Sequence, residues 1–298
     1  MEGARGWKRG KEGVMAKIKI VTDSVADMPH DLVSELDIEM LPVNIVLNGK
    51  TNRDKVDIHS ETFYANIDNY GKMYSQEISY TDYAYIYKEL TRQHSHLVII
   101  HCSRSVSGTY ENAVAVHRDF AATHTSKVAL FDSGQAGLGL GLLVLDAAKA
   151  VQAGYNFEEV SHLVKKRLEK VSTFFYVPSL KYLRKGRKIS GLKSALASAM
   201  RIQPVLTIRE GEIVISSSLT GTRSDISQRF LECIQEDLRD REIINLGIAH
   251  AEAPEMAREM KELMLANFAC NNVYESYVGP AIGLNTGPGA VGIMYTRK

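Results

Sequence analysis

The chain has 298 residues, 45% of them hydrophobic and 24% charged, with a formal net charge of +1. That is the composition of a globular protein of one large or two medium domains, and it offers no general attraction for nucleic acid or an anionic membrane. The longest apolar runs, such as residues 138–148, are too short to span a bilayer, and Cys102, Cys233 and Cys270 lack the spacing of a disulfide framework or a cysteine zinc site.

Residues 1–14 are polar, hold the single tryptophan, Trp7, and have no apolar core of a signal peptide; they read as a disordered tail. With few cysteines, a reducing, cytoplasmic location is expected. A first strand is predicted over 18–21, a helix after Pro29, and one apolar strand over 40–47. A mixed region follows over 50–80. Next come a helix over 82–93, a strand over 97–102, a helix over 107–122, a strand over 128–131 and a helix over 135–153. Apolar strands alternating with helices predict a parallel sheet with helices on its faces.

The pattern changes after residue 170. A strand is predicted over 173–177. Val205-Leu206-Thr207-Ile208-Arg209, Glu210-Gly211 and Glu212-Ile213-Val214-Ile215-Ser216 read as a hairpin with a two-residue turn. A strand over 243–250, a helix from Pro254, and strands over 272–278 and 290–296 complete the chain. The expected fold is therefore α/β: two α/β domains, an N-terminal parallel-sheet domain over 15–172 and a C-terminal mixed-sheet domain over 173–298.

Between the last two strands lies Gly279-Pro-Ala-Ile-Gly-Leu-Asn285-Thr286-Gly-Pro-Gly-Ala-Val-Gly292. Its glycines and prolines predict a non-helical loop that approaches a ligand closely and aims Asn285 at it. Ser103-Arg-Ser-Val-Ser107-Gly108-Thr109 follows a strand and opens a helix, where free N–H groups and hydroxyls suit a carboxylate or phosphate. The same residues also suit plain helix capping, and both readings stand. Asp23 and Asp132 end two other strands; capping or turn roles compete with catalytic ones there. Gly134, Gly137, Gly139 and Gly141 lack dinucleotide-binding spacing and fit close helix packing instead. Gly186 to Ser194 is one residue too long for a P-loop and does not follow a strand.

Residues 170–209 contain no acid. Lys181, Arg184, Lys185, Arg187 and Lys188 are the densest basic group, and an amphipathic helix is predicted from Leu192 to Met200. A solvated face and a docking surface for an acidic partner are the competing readings. Tyr182 is the only ring in the basic core, which argues against nucleic acid. No metal-ligand spacing and no GxSxG elbow occur, so neither a metal nor a cofactor is expected. A hydrolase or transferase using Ser107 or Asp23 would lack a histidine placed beside Ser107.

Taken together, these segments resemble the DegV family over residues 17–294. The matching stretches are Ile20-Val-Thr-Asp-Ser-Val-Ala-Asp27, Arg53-Asp54 with Val56-Asp57-Ile58, Ser75-Gln76, Ser107-Gly108-Thr109-Tyr110, Tyr182-Leu-Arg-Lys-Gly-Arg187, His250-Ala-Glu-Ala-Pro254 and the loop 279–292. The resemblance implies a long-chain fatty acid bound between the two domains. In members of the FakB type, that fatty acid is presented to a separate kinase subunit, which phosphorylates its carboxylate. The chain itself would be a carrier, not an enzyme, and Lys181 to Lys188 the candidate docking surface. The implied ligand-binding residues are Ser107, Gly108, Thr109, Asn285, Tyr74, Ser75, Thr286 and Arg223. The sequence departs from the family pattern at three positions. Asn285 stands where histidine is usual, Tyr74 where threonine is usual, and Glu77 where proline is usual. Asn285 and Tyr74 still offer hydrogen bonds, but Asn285 is never cationic and Glu77 adds negative charge. A different lipid or small acid, without a kinase, is the alternative.

Overall fold

The computed structural model describes residues 18–185, 203–219, 223–239 and 241–298. The first half runs β1 (Ile18–Asp23), α1 (His30–Glu35), β2 (Glu39–Leu41), β3 (Asn44–Leu47), β4 (Lys50–Arg53), α2 (Ser60–Ala65), β5 (Met73–Gln76), α3 (Tyr80–Gln93), β6 (His96–His101), α4 (Thr109–Phe120), β7 (Lys127–Asp132), α5 (Leu138–Gln152) and α6 (Phe157–Leu168). The second half runs β8 (Val171–Tyr176), α7 (Lys181–Lys185), β9 (Gln203–Arg209), β10 (Glu212–Leu219), α8 (Arg223–Leu238), β11 (Ile243–His250), α9 (Pro254–Asn267), β12 (Asn272–Tyr277), α10 (Pro280–Thr286) and β13 (Val291–Arg297).

The strands form three sheets. The first, β2-β1-β6-β7, is wholly parallel. Its central strands are covered on both faces, which is why Leu97, Val98, Ile99 and Ile100 are apolar in succession and fully buried. A small antiparallel sheet, β4-β3-β5, stands beside it. The third sheet, β10-β9-β8-β13-β11-β12, is mixed: only β11 and β12 run parallel. The expected pairing of a parallel-sheet N-terminal domain with a mixed-sheet C-terminal domain is the observed architecture.

Helix α5 joins the two halves. It packs on β1 and β6 of the first sheet and on β8, β11 and β13 of the third. It is apolar nearly all round, as a helix buried on every side must be. Two of its glycines are set by this contact. A Cβ on Gly139 would stand 2.3 Å from Thr173 Oγ1, and one on Gly141 2.6 Å from the Ala26 carbonyl oxygen. A second core, with Phe230, Ile234, Met260, Met264 and Tyr295, fills the far side of the third sheet.

The hairpin β9–β10 turns at Glu210 and Gly211, with φ of 51° and 81°. Positive φ at both turn positions is the geometry that matches the twist of the flanking strands. Helix α6, absent from the sequence reading, is closed by a reciprocal capping box between Asn156 and Glu159.

Two expectations are corrected. The apolar run 40–47 is not one strand: β2 ends at Leu41 and β3 starts at Asn44, in different sheets. Pro42 has no N–H to give a ladder, and the Val43 N–H donates to Ser24 Oγ instead (3.1 Å). The glycine- and proline-rich loop contains a helix, α10. Pro280 sits in its first turn, where no intrahelical donor is needed, and Gly287 ends it at φ 71°. Only Gly283 is interior, and it is there for space: a Cβ would lie 2.3 Å from the Tyr64 hydroxyl.

The tail 1–14, the helix from Leu192 to Met200, and Arg187 and Lys188 lie outside the described residues.

Candidate ligand cavity and its polar end

An apolar cavity of about 90 Å³ opens where the C-terminal ends of the first sheet face the third. One water needs ~10–15 Å³, so the space suits something larger. Leu138 of α5, Phe175 of β8, Ile208 and Ile213 of the hairpin, Leu183 of α7 and Met294 of β13 form most of its walls. Ile282, Asn285 and Thr286 of α10 close one side, and Asp27 reaches it from the end of β1.

A smaller cavity continues from it, sharing Val106, Ile282 and Asn285. Its lining turns polar: Ser75, Gln76, Glu77 and Ser107 join Val25, Val43, Cys102 and Ala281. The segment carrying Glu77 is fixed on the start of α4. The Ile78 N–H donates to Thr109 Oγ1 (3.2 Å), and Asn112 Nδ2 donates to the Ile78 carbonyl (2.8 Å). The Glu77 side chain covers Gly108, where a Cβ would stand 3.4 Å from Glu77 Cγ.

The structure brings Ser75, Ser107 and Asn285 together at this polar end, and Thr286 to the larger cavity. Ser107 Oγ accepts from the Thr109 N–H (3.3 Å) and lies 3.1 Å from Thr109 Oγ1. Thr109 is fully buried, and neither it nor Gly108 lines either cavity. Tyr74 lines neither as well. It alternates with Ser75 along β5 and has Lys72 Nζ 5.6 Å from its ring centre. Arg223 starts α8, and Lys181, Arg184 and Lys185 lie on α7, beside α10. Lys181 is exposed.

Asn285 is held within its own helix. Its Nδ2 donates to the Ala281 carbonyl (3.3 Å), while its Oδ1 is buried without a partner. A carbonyl can face only the amide nitrogen, so that contact fixes which way round the amide sits.

Two buried acidic clusters lie behind the cavities. Asp23 accepts from the Val25 N–H (3.2 Å), the Cys102 N–H (3.0 Å) and His101 Nδ1 (2.9 Å). His101 Nε2 meets the Tyr83 hydroxyl at 2.8 Å. Asp23 is thus a strand-end cap and histidine anchor. Asp132 accepts from Gly134 N–H and pairs with Arg104, a turn role.

The second cluster escaped the sequence reading. Lys55 Nζ donates to Asp27 Oδ1 and to the Ser24 carbonyl, both at 2.7 Å. The Gly279 N–H, at the start of α10, donates to Asp27 Oδ1 (3.0 Å). Burial raises the pKa of Asp27 even against Lys55. Asp54, fully buried, is pushed up to about 6 by burial. Lys55, the Ser24 hydroxyl and the Ala281 N–H soften that rise, yet neither Asp54 oxygen makes a hydrogen bond of normal geometry. Burial works against the Lys55 ammonium, but Asp27 and Asp54 outweigh it and raise its pKa. Asp27 and Asp54 both stand in the matched stretches; Asp54 adjoins Lys55 in the chain, but only the fold brings Asp27 to it.

Among the described residues no group of three His, Cys, Asp or Glu side chains is placed to hold a metal ion, and no helix is long and apolar enough to cross a membrane. No histidine is hydrogen-bonded to Ser107 Oγ among the described residues.

Fold and site define a two-lobed α/β protein with an apolar internal cavity that ends among hydroxyl, amide and carboxylate groups. Residues 17–298 match the DegV family, described as uncharacterised proteins, and the chain belongs to that family. A DegV domain-containing protein of Caldanaerobacter subterraneus subsp. tengcongensis is 29% identical over 287 residues, covering 95% of this chain and 100% of that protein. The crystal structure of DegV from Bacillus subtilis, described as a fatty acid binding protein, superimposes with a TM-score of 0.83 at 26% identity, over 95% of this chain and 100% of that one. A fatty-acid-binding DegV family protein from Thermus thermophilus shares the fold at a TM-score of 0.87 and 24% identity, again over 95% and 100% of the two chains.

Proposed function

We propose that this chain binds a long-chain fatty acid in the cavity between its two lobes, which divide near residue 172. The acyl chain lies along Leu138, Phe175, Ile208, Ile213 and Met294, and the head group sits among Ser75, Ser107 and Asn285. The protein is a cytoplasmic carrier that presents this ligand to a partner kinase, which docks on the basic segment Lys181 to Lys188 and forms the acyl phosphate. One observation carries the reading: the cavity lining changes from hydrocarbon to hydroxyl and amide at one end. Burying a methylene gains about 0.8 kcal/mol, so a dozen supply roughly 10 kcal/mol before ordering costs. Cys102, Cys233 and Cys270 form no disulfide among the described residues, which agrees with a reducing compartment.

Native mass spectrometry of the purified protein, followed by analysis of its organic extract, tests the lipid part. The expected result is a bound fatty acid of defined length. A chain that stays empty after exposure to a fatty-acid panel overturns it. The docking part expects Arg184→Glu with Arg187→Glu to abolish kinase binding and leave lipid affinity intact; unchanged kinase binding sinks it.

A second reading, a DegV-type binder of another lipid without a kinase, is favoured by one observation. Glu77 projects over Gly108 beside Ser107, where a carboxylate head group would sit.

A further inference from the structure

Resting on the lipid reading above, we propose that the polar end selects an acyl ligand whose head group is uncharged and donates a hydrogen bond. A protonated carboxylic acid, a primary amide or an alcohol shares that chemistry; an ionised carboxylate does not.

The lining charges point one way. The described residues around the two cavities include two carboxylates, Asp27 and Glu77, and no lysine, arginine or histidine. Glu77 has no ion-pair partner among the described residues, and the adjoining Ile78 backbone is pinned by Thr109 and Asn112. An anionic head group beside Ser107 would meet that carboxylate with no cationic side chain in the lining between them.

The unpaired polar atoms point the same way. Asn285 Oδ1 and Asp27 Oδ2 are both buried without a partner, on residues that line the cavity. Both are acceptors, and a buried acceptor left unpaired is costly. An ionised carboxylate brings only more acceptors, whereas a neutral acid, amide or alcohol brings the missing donor. One N–H of the Asn285 amide is committed to Ala281, which leaves the other to donate to a ligand oxygen. Ser107 Oγ remains as the hydroxyl that can donate to a ligand carbonyl. An ammonium head group is not called for: Lys55 at 2.7 Å already matches Asp27, and Glu77 is exposed to water.

The test is equilibrium binding of radiolabelled oleic acid, oleamide and oleyl alcohol to the delipidated full chain, at about pH 4.5 and about pH 8.5. Oleamide and oleyl alcohol should bind about equally at both pH values. Oleic acid should bind about tenfold more weakly than oleamide at the higher pH, the equivalent of one pK unit of discrimination, and recover at the lower. Glu77→Gln should raise oleate affinity several-fold at high pH with little change for oleamide. The ratio of the two ligands is read on the same protein, so a general loss of folding does not mimic it. Oleate binding tighter than oleamide at high pH, or a ratio unmoved by Glu77→Gln, overturns the inference and leaves the lipid reading standing. Failure of all three ligands to bind overturns both.

Discussion

Asp23 and Asp27 stand four residues apart on the same strand end, both fully withdrawn from water, yet they live in opposite circumstances. Around Asp23, two backbone N–H groups and His101 fill the carboxylate, and Tyr83 completes the histidine. Around Asp27, one oxygen is shared by Lys55 and Gly279, while its other oxygen and the Tyr64 hydroxyl have no partner and the oxygens of Asp54 make no hydrogen bond of normal geometry. The first cluster closes on itself and fastens β1 to β6. The second is short of donors, borders the cavity, and takes hold of the first turn of α10. Satisfied burial marks a structural joint. Unsatisfied burial at a cavity wall marks a place where protons and ligands make a difference.

The contrast breaks most sharply at Asp23. Asp23→Ala leaves His101 and the Cys102 N–H buried without an acceptor and should cost about 3–5 kcal/mol, read as a lowered urea midpoint.

At Asp54 the sign reverses. Its folded pKa of about 6 lies above the usual carboxylate value, so its contribution is full below pH ~4 and is lost as pH rises through about 6. Asp27, raised in the same direction, adds to that slope, while the raised Lys55 acts only at alkaline pH. Asp54→Asn should flatten most of the decline, leaving Asp27's share, and make the variant more stable above pH 6, by up to ~3 kcal/mol. Unfolding midpoints followed from pH 4 to 8 check this; parallel curves for the two proteins would refute it.

The smallest effect is expected at the contact between the second cluster and α10. Gly283→Ala places a methyl within 2.3 Å of the Tyr64 hydroxyl and should cost about 1–3 kcal/mol through overpacking, despite alanine's better helix propensity. Restoration by Tyr64→Phe would locate the clash at that hydroxyl.

Much of this was legible in the chain. The parallel sheet follows from apolar runs separated by helical stretches, and the hairpin from Glu210-Gly211 between two β-rich runs. Asn285 and Ser107 were singled out from their neighbours alone, and they do line the same small cavity. What stayed hidden depended on contacts distant in sequence. A helix at Pro280 is locally disfavoured by its glycine, and is selected by Tyr64 and by Asp27, some 250 residues away. The run 40–47 reads as one strand, whereas the chain breaks at Pro42 and the strands on either side join different sheets. Tyr74 illustrates the limit of motif matching: neighbouring residues of one strand point to opposite faces, and it is Ser75 that faces the cavity.

The order of strands in the third sheet carries a consequence for synthesis. β13, the final strand of the chain, lies between β8 and β11 in the middle of that sheet. A nascent chain can pair β8, β9 and β10, and β11 with β12, but cannot join these two parts until residues 291–297 have left the ribosome. Until then the face of α5 that β13 covers has no permanent neighbour. Removal of residues 291–297 therefore divides a sheet at its centre instead of trimming its edge, and exposes apolar surface, the condition under which chains aggregate or recruit chaperones.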